Sequence, residues 1–160
     1  MHPRADWLIH RLGLEPHPEG GWFREVFRSP RLVAAPGAPP RPALTSIYFL
    51  LVSGRHSRWH RLAHDELWHF YEGDPLELLW LAPDLSRVER RRLGQVTDER
   101  EAHAVVPAGC WMAARTTGDY TLVGCTMGPG FDPADFELLA DRPDEAAAVK
   151  ARFPELAELI

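Results

Sequence analysis

Most of the sequence consists of short, strand-like segments separated by turn-forming residues. From Thr45 onward the segments read TSIYFLLV, SRWHRL, ELWHFYE, LELLWL, VERRRL, HAVV, WMAAR and YTLVGCTM. Turn signals such as Ser53-Gly54, Gly73-Asp74-Pro75 and Pro107-Ala108-Gly109 recur about every eight to twelve residues. Strands this short and this evenly spaced predict an all-β sandwich or barrel of antiparallel strands.

Both ends of the chain carry helical patterns instead. Near the start, apolar residues from Ala5 to Leu12 recur at helical spacing, and Gly13 follows as a stop signal. Near the end, Pro143 occupies a first-turn position and opens an apolar stripe that runs to Phe153. The sequence therefore predicts short N- and C-terminal helices flanking the strands.

The segment between the first helix and Thr45 predicts a turn, a strand and a loop. Residues 16–21, PHPEGG, predict the turn, and residues 22–29, WFREVFRS, alternate as a strand does. Residues 30–42 contain five prolines and predict an irregular loop. Strict alternation would place Arg24 and Arg28 on one face, to bind a carboxylate or phosphate or to face solvent or a partner subunit.

Length and charge narrow the class of protein. A chain of 160 residues fits one domain, residues 1–160. A net charge of −5 argues against nucleic acid as a partner, because phosphate binding requires concentrated basic residues. No apolar run of membrane-spanning length and no secretory signal occur, which predicts a cytoplasmic protein without a membrane partner. Cys110 and Cys125 predict buried, reduced thiols.

Two motifs resemble those of the cupin superfamily. Gly54, His60, Leu62, Glu66 and Gly73 follow the spacing of the first cupin motif, with Leu62 in place of its second histidine. The stretch from Pro107 to Met112, PAGCWM, resembles the second motif, with Met112 at its histidine position. Further pieces, PHPEGGWFRE, TSIYFLL and LVGCTMGPGFD, are similar to a small single-domain cupin-like family of unknown function. Met112 and His103 stand where that family is expected to carry glutamine.

The resemblance implies a fold and a partner set. The fold is a jelly-roll β-barrel of two antiparallel sheets, usually paired as a homodimer, with a small-molecule pocket in the barrel mouth. Members are similar in shape to sugar-nucleotide epimerases and to seed storage proteins. Because a fold hosts many activities, function has to be argued from the residues of the pocket.

Strand alternation predicts which side chains face that pocket. His60 and Leu62 share one face, and Glu66, Trp68 and Phe70 share the corresponding face of the next strand. His69 falls on the opposite face unless a bulge intervenes. The predicted ligand-binding residues are Leu62, Trp68, His69, Phe70, Trp111 and Met112, although core packing is the alternative for the aromatic members.

A metal cofactor is not expected at this site. The cupin motifs usually offer three histidines and one glutamate, of which only His60 and Glu66 are present here. Leucine cannot coordinate an ion, and the thioether of Met112 is a soft ligand. Catalytic metal sites normally keep three protein ligands. The alternative is an oxygenase or hydrolase whose divalent metal is held by a reduced set that includes His60 and Glu66.

Without a metal, the pair predicts acid/base chemistry. His60 would act as general base and Glu66 would orient it, while Tyr48 on the preceding strand would donate a proton from the other side of the ligand. The prediction is a small-molecule-binding cupin that acts as an isomerase or epimerase on a small polar, sugar-like substrate. A non-catalytic binding module is the alternative, with His60 and Glu66 as a satisfied buried pair. His2, His10 and His17 are expected at the surface.

Overall fold

A computed structural model describes all 160 residues of the chain. Two α-helices and thirteen strands form the fold, with three short 3₁₀ segments near the end. The elements are α1 (Pro3–Leu12), β1 (Glu15–Pro16), β2 (Trp22–Arg28), β3 (Leu32–Val33), β4 (Arg41–Pro42), β5 (Thr45–Val52), β6 (His56–Leu62), β7 (Glu66–Gly73), β8 (Leu76–Leu81), β9 (Val88–Leu93), β10 (His103–Val106), β11 (Trp111–Thr116), β12 (Tyr120–Met127), β13 (Phe136–Leu138) and α2 (Pro143–Arg152). The predicted helices and strands are thus present, and β1, β3, β4 and β13 are additional.

The strands form two facing antiparallel sheets. The order is β1-β2-β5-β12-β7-β10 in the six-stranded sheet and β13-β6-β11-β8-β9 in the five-stranded sheet. Strands β3 and β4 make a small separate hairpin inside the proline-rich loop. Consecutive strands such as β5 and β6, or β7 and β8, belong to different sheets, so the chain crosses repeatedly between layers. This arrangement confirms the predicted jelly-roll architecture.

Three apolar clusters hold the layers together. The central cluster lies between the sheets and includes Phe49, Trp68, Leu78 and Met112. A second cluster on the outer face of the five-stranded sheet packs Trp59 and Trp111 against α2 and the C-terminal 3₁₀ turn. A third places α1 on the outer face of the six-stranded sheet. Each terminal helix therefore covers one sheet and leaves the space between the sheets to the strands.

β-Bulges change the faces that simple alternation assigns, and two of them lie in strands that line the site. The pairing of β2 with β5 shifts between Glu25 and Phe27, so Glu25 and Arg28 face the same side. Arg24 lies on the other face, near Gly13 at the end of α1. The prediction that Arg24 and Arg28 share a face is therefore wrong, because one extra residue inverts the alternation. A similar shift in β6 turns both Ser57 and His60 inward.

Neither cysteine forms a disulfide: Cys110 and Cys125 are both free and buried, as predicted. Among the helices, none has the length and apolar character needed to cross a membrane.

Candidate functional site

A small cavity lies between the two sheets at one end of the fold. Its volume is about 160 Å³. Its walls are mainly apolar, with a polar group of two histidines and two glutamates inside and one ion pair at the mouth. The lining residues are His17, Glu19, Phe23, Glu25, Arg28, Thr45, Ile47, Phe49, His60, Leu62, Glu66, Trp68, Cys125, Met127, Phe131, Pro133 and Phe136. The predicted pair His60 and Glu66 is therefore inside the barrel and faces a shared space.

His60 is buried, and both of its ring nitrogens are engaged. Nδ1 lies 2.8 Å from the carbonyl oxygen of Arg58. A carbonyl can only accept, so Nδ1 carries a proton and donates it. Nε2 lies 3.2 Å from Oε2 of Glu19. The group that orients the imidazole is therefore Glu19, and not Glu66 as the sequence predicted.

Glu19 reaches the cavity from the turn that precedes β2. Its backbone carbonyl accepts a hydrogen bond from the amide of Arg58 at 2.8 Å, which fixes the turn against β6. Gly20 has a φ of +118°, and a Cβ there would collide with the carbonyl oxygen of His56. Ser57 completes the arrangement by donating its hydroxyl to Oε1 of Glu19 at 2.7 Å. The close approach that glycine allows thus brings a carboxyl into the barrel.

Glu66 occupies a different part of the same cavity and has its own partner. Its Oε2 accepts a hydrogen bond of 2.8 Å from the indole Nε1 of Trp68, two residues along β7. Both side chains are buried, at 6% exposure for Glu66 and 1% for Trp68. Glu66 is therefore held by Trp68 and is free to interact with a ligand independently of His60.

Burial moves the pKa values of these groups toward their neutral forms. Burial lowers the pKa of His60 to about 4, partly offset by its bond to the Arg58 carbonyl. Burial and the nearby Glu19 raise the pKa of Glu66 to about 8, against the stabilising bond from Trp68. Burial also raises the pKa of Glu19, opposed by His17 and Ser57. At neutral pH Glu66 therefore keeps its proton, and His60 is neutral with its proton on Nδ1.

The residues present do not fit the metal centre that the cupin resemblance implies. Leu62 and Met112 take two of the four usual ligand positions and offer no suitable donor. No group of three or more His, Cys, Asp or Glu side chains in the structure is arranged to hold a metal ion. The nitrogens of His60 and one oxygen of Glu66 are also engaged by protein groups.

Only part of the predicted ligand-binding set lines the cavity. Leu62 and Trp68 do so. His69 lies on the outer face of the six-stranded sheet, where its ring stacks on His103 at a centroid distance of 6.2 Å. Tyr48 is on the same outer face, beside Tyr71 at 5.9 Å and against the cluster under α1. The predicted roles of Tyr48 and His69 at the ligand are therefore wrong, because their strands turn these side chains outward.

The remaining predicted residues pack elsewhere. Phe70 and Met112 face inward but belong to the central cluster and do not line the cavity. Trp111 lies on the outer side of the five-stranded sheet, where its indole donates to Glu145 at 2.8 Å and Arg61 covers its ring. The core alternative that the sequence left open describes Phe70. The predicted ligand contacts of Met112 and Trp111 are not found, because Met112 packs in the central cluster and Trp111 packs outside the sheets.

Several cavity residues were not predicted from the sequence. His17 was expected at the surface, yet its ring packs 4.5 Å from that of Phe23 inside the cavity. Its Nδ1 accepts from the amide of Glu19 at 3.2 Å, which ties it to the same turn. Phe131 and Phe136 come from the segment after β12, which pairs with β6 through β13. A signal for the turn was present in the Gly20-Gly21 pair, which marks close backbone approach.

Ion pairs fix the mouth of the cavity. Arg28 binds Glu25 through two hydrogen bonds of 2.9 and 2.7 Å and donates to the carbonyl of Phe131 at 3.0 Å. Arg41 holds Asp135 through bonds of 2.7 and 2.9 Å. The segment that closes the cavity is thus anchored from two sides. A larger open groove of about 920 Å³ lies along β9, but it is exposed and contains no buried acid/base group.

The sequence matches one protein family. Residues 6–139 match the model of a family described as Cupin superfamily (DUF985). None of the curated proteins matches the chain.

Solved structures of similar sequence share the fold. A hypothetical protein from Leishmania major is 32% identical, with a TM-score of 0.84 over 98% of this chain and 96% of that one. A protein from Shewanella oneidensis is 34% identical, with a TM-score of 0.82 over 97% of this chain and 93% of that one. Oxalate decarboxylase from Bacillus subtilis is 16% identical, with a TM-score of 0.60 over 91% of this chain and 36% of that one, and shows the fold alone.

Proposed function

The chain belongs to the family described as Cupin superfamily (DUF985), and from that premise we propose that it binds a small polar molecule and catalyses proton transfer on it without a metal ion. The reaction class is isomerisation or epimerisation, in which a carbon-bound proton is removed at one position and a proton is returned. One observation carries the proposal: the Glu19–His60 pair and Glu66 line the same enclosed cavity, with no hydrogen bond between the pair and Glu66.

The two groups take opposite roles. Glu66 is the general acid, because at neutral pH it keeps a proton that it can give to the ligand. The Glu19–His60 pair is the base. Glu19 in its carboxylate form accepts a proton from the ligand, and the neutral imidazole of His60 then accepts a hydrogen bond from the new carboxylic acid through Nε2. His60 acts through Glu19 and is a positioning residue.

The size of the cavity limits the substrate. Ligand pockets for drug-sized molecules usually span about 300–1,000 Å³. A dry cavity of about 150 Å³ holds a molecule the size of benzene, and this cavity has about 160 Å³. We therefore expect the enclosed part of the substrate to have about six to eight non-hydrogen atoms.

Incorporation of solvent deuterium tests the proposal, whichever substrate the protein uses. The protein is incubated in D₂O with EDTA and a library of small organic molecules, and mass spectrometry detects a gain of carbon-bound deuterium. We expect exchange with the wild type for at least one library member that binds. Glu66→Gln and Glu19→Gln should each slow it by about 100-fold or more, since each removes one proton-transfer group.

The matched control is Glu99→Gln, which changes the same functional group at an exposed position outside the cavity. Its exchange rate should equal that of the wild type. Exchange that survives both Glu66→Gln and Glu19→Gln would contradict the acid/base assignment. A parallel incubation omits EDTA, and exchange by the wild type that occurs only without EDTA would instead support the metal-dependent alternative.

A binding module without chemistry is the second candidate, and one observation favours it. Every buried side-chain nitrogen and oxygen atom already has a hydrogen-bond partner within the protein. Buried polar groups whose hydrogen bonds are all made within the protein can be part of the fold without taking part in a reaction. Tight binding of a library member that returns without deuterium would support this candidate.

We also propose a homodimer and a cytoplasmic location, as the sequence predicted. The first long strand supports the dimer, because Val26 and Phe27 on β2 are 44% and 49% exposed.

A further inference from the structure

The cavity contains acidic groups without a matching cation. Arg28 is the one permanently charged basic residue in the lining, and its guanidinium is taken by Glu25 and the Phe131 carbonyl. Glu19 and Glu66 lie deeper: the ionisable partners of Glu19 are His17 and His60, and the partner of Glu66 is the indole of Trp68. Two buried carboxyls that line the same cavity repel each other when both are ionised. A ligand with a positive charge would convert that repulsion into attraction.

Aromatic rings form much of the cavity wall around these carboxyls. Five lining residues carry them: Phe23, Phe49, Trp68, Phe131 and Phe136. The rings are in contact with one another, since Phe49 lies 5.8 Å from Trp68 and Phe131 lies 6.3 Å from Phe136. The faces of aromatic rings attract cations, and this attraction is strongest where water is excluded.

From the two carboxyls and the aromatic walls, we infer that the ligand of this cavity is a small organic cation, such as a substituted ammonium ion. This inference rests on the proposed function and narrows its substrate class. An anion beside Glu19 and Glu66 would disfavour the ionised form of either carboxyl, whereas a cation would favour it. A neutral molecule would gain the apolar contacts but neither the ring attraction nor the charge interaction. This class differs from the sugar-like substrate that the sequence predicts.

A series of three probes with the same apolar group tests the charge preference. Tert-butylammonium, tert-butanol and pivalate share the tert-butyl group and carry a positive, zero and negative charge. Their dissociation constants are measured by titration calorimetry near neutral pH with EDTA present. We expect tert-butylammonium to bind at least about tenfold more tightly than tert-butanol. The cation gains both the attraction of a desolvated aromatic ring and the charge interaction with a carboxylate. Pivalate should bind more weakly than tert-butanol.

Two variants identify the groups responsible. Glu66→Gln keeps the shape of the side chain and removes its negative form, and Phe136→Leu removes one ring. Each should weaken tert-butylammonium several-fold and leave tert-butanol almost unchanged. Glu99→Gln and Phe153→Leu are the matched controls, since both side chains lie outside the cavity. The comparison of the three probes needs only the wild type, so it remains decisive if a variant fails to fold.

Binding of tert-butanol or pivalate as tightly as tert-butylammonium would overturn the inference. Failure of this inference can be distinguished from failure of the proposed function. A neutral or anionic molecule that exchanges carbon-bound deuterium would support the proposed proton transfer and contradict the cationic substrate class. A cation that binds in the cavity and never exchanges would support the class and contradict the chemistry.

Discussion

Glu66 should make the folded protein less stable as the pH rises above neutrality. Its pKa is raised from 4.5 to about 8 by burial and by Glu19. Between pH 4.5 and about pH 8, Glu66 therefore retains a proton in the folded chain that it has released in the unfolded chain. The stabilisation is therefore complete below pH 4.5 and is lost as the pH rises to about 8. Each pH unit in the interval lowers the free energy of unfolding by about 1.4 kcal/mol.

His60 has the opposite effect on stability, because it makes the folded protein less stable as the pH falls. Burial lowers its pKa from 6.5 to about 4, so its contribution is complete above pH 6.5 and is lost as the pH falls to about 4. Between pH 4.5 and 6.5 the two slopes cancel, and above 6.5 only that of Glu66 remains. From pH 6.5 to 8 the protein should therefore lose about 2 kcal/mol of stability through Glu66.

Urea unfolding at a series of pH values measures this loss. The wild type and Glu66→Gln are unfolded at each pH, and the difference in unfolding free energy is plotted. Glutamine has a similar shape and no proton to release. We expect the wild type to lose about 2 kcal/mol relative to the variant between pH 6.5 and 8. Glu99→Gln should follow the wild type. Parallel curves for the wild type and Glu66→Gln would show that Glu66 titrates normally and refute the reasoning.

Three further outcomes follow from the structure. Gly124→Ala should destabilise the fold by about 1–3 kcal/mol, because a Cβ at Gly124 would collide with the ring of Tyr71. The double variant with Tyr71→Ala should recover part of this loss in thermal unfolding. Light scattering at micromolar concentration should give a dimer, and Phe27→Asp should shift it toward monomer. Metal analysis of protein purified without a histidine tag should find less than a stoichiometric amount, since Leu62 and Met112 offer no suitable donor; one equivalent would oppose this.

The strands were predictable because their signals are local. Segments such as β5, β8 and β12 begin and end at the predicted residues, since each is bounded by turn formers and carries β-branched or aromatic side chains. The short strand β13 was not predicted. Its three residues carry no periodic pattern and depend on pairing with β6 for their conformation.

The direction in which each side chain points was less predictable than the strands themselves. Period-two alternation places His60 and Leu62 correctly and places His69 outside, since no bulge intervenes before it. It fails for Arg28, because the extra residue in β2 reverses the faces that follow it. A bulge depends on the neighbouring strand and leaves no reliable mark in the sequence.

The polar content of the site depends on a residue outside the strand motifs. Leu62 and Met112 remove two of the polar positions that the cupin motifs would supply, and Glu19 from the PHPEGG turn adds a carboxyl beside His60. Two buried glutamates within aromatic walls form a site of different character from a set of three histidines and one glutamate. The first favours protons and organic cations, and the second favours divalent metals. The residues at positions 62 and 112, together with one docked turn that the close approach of Gly20 to β6 fixes, therefore distinguish these two kinds of site.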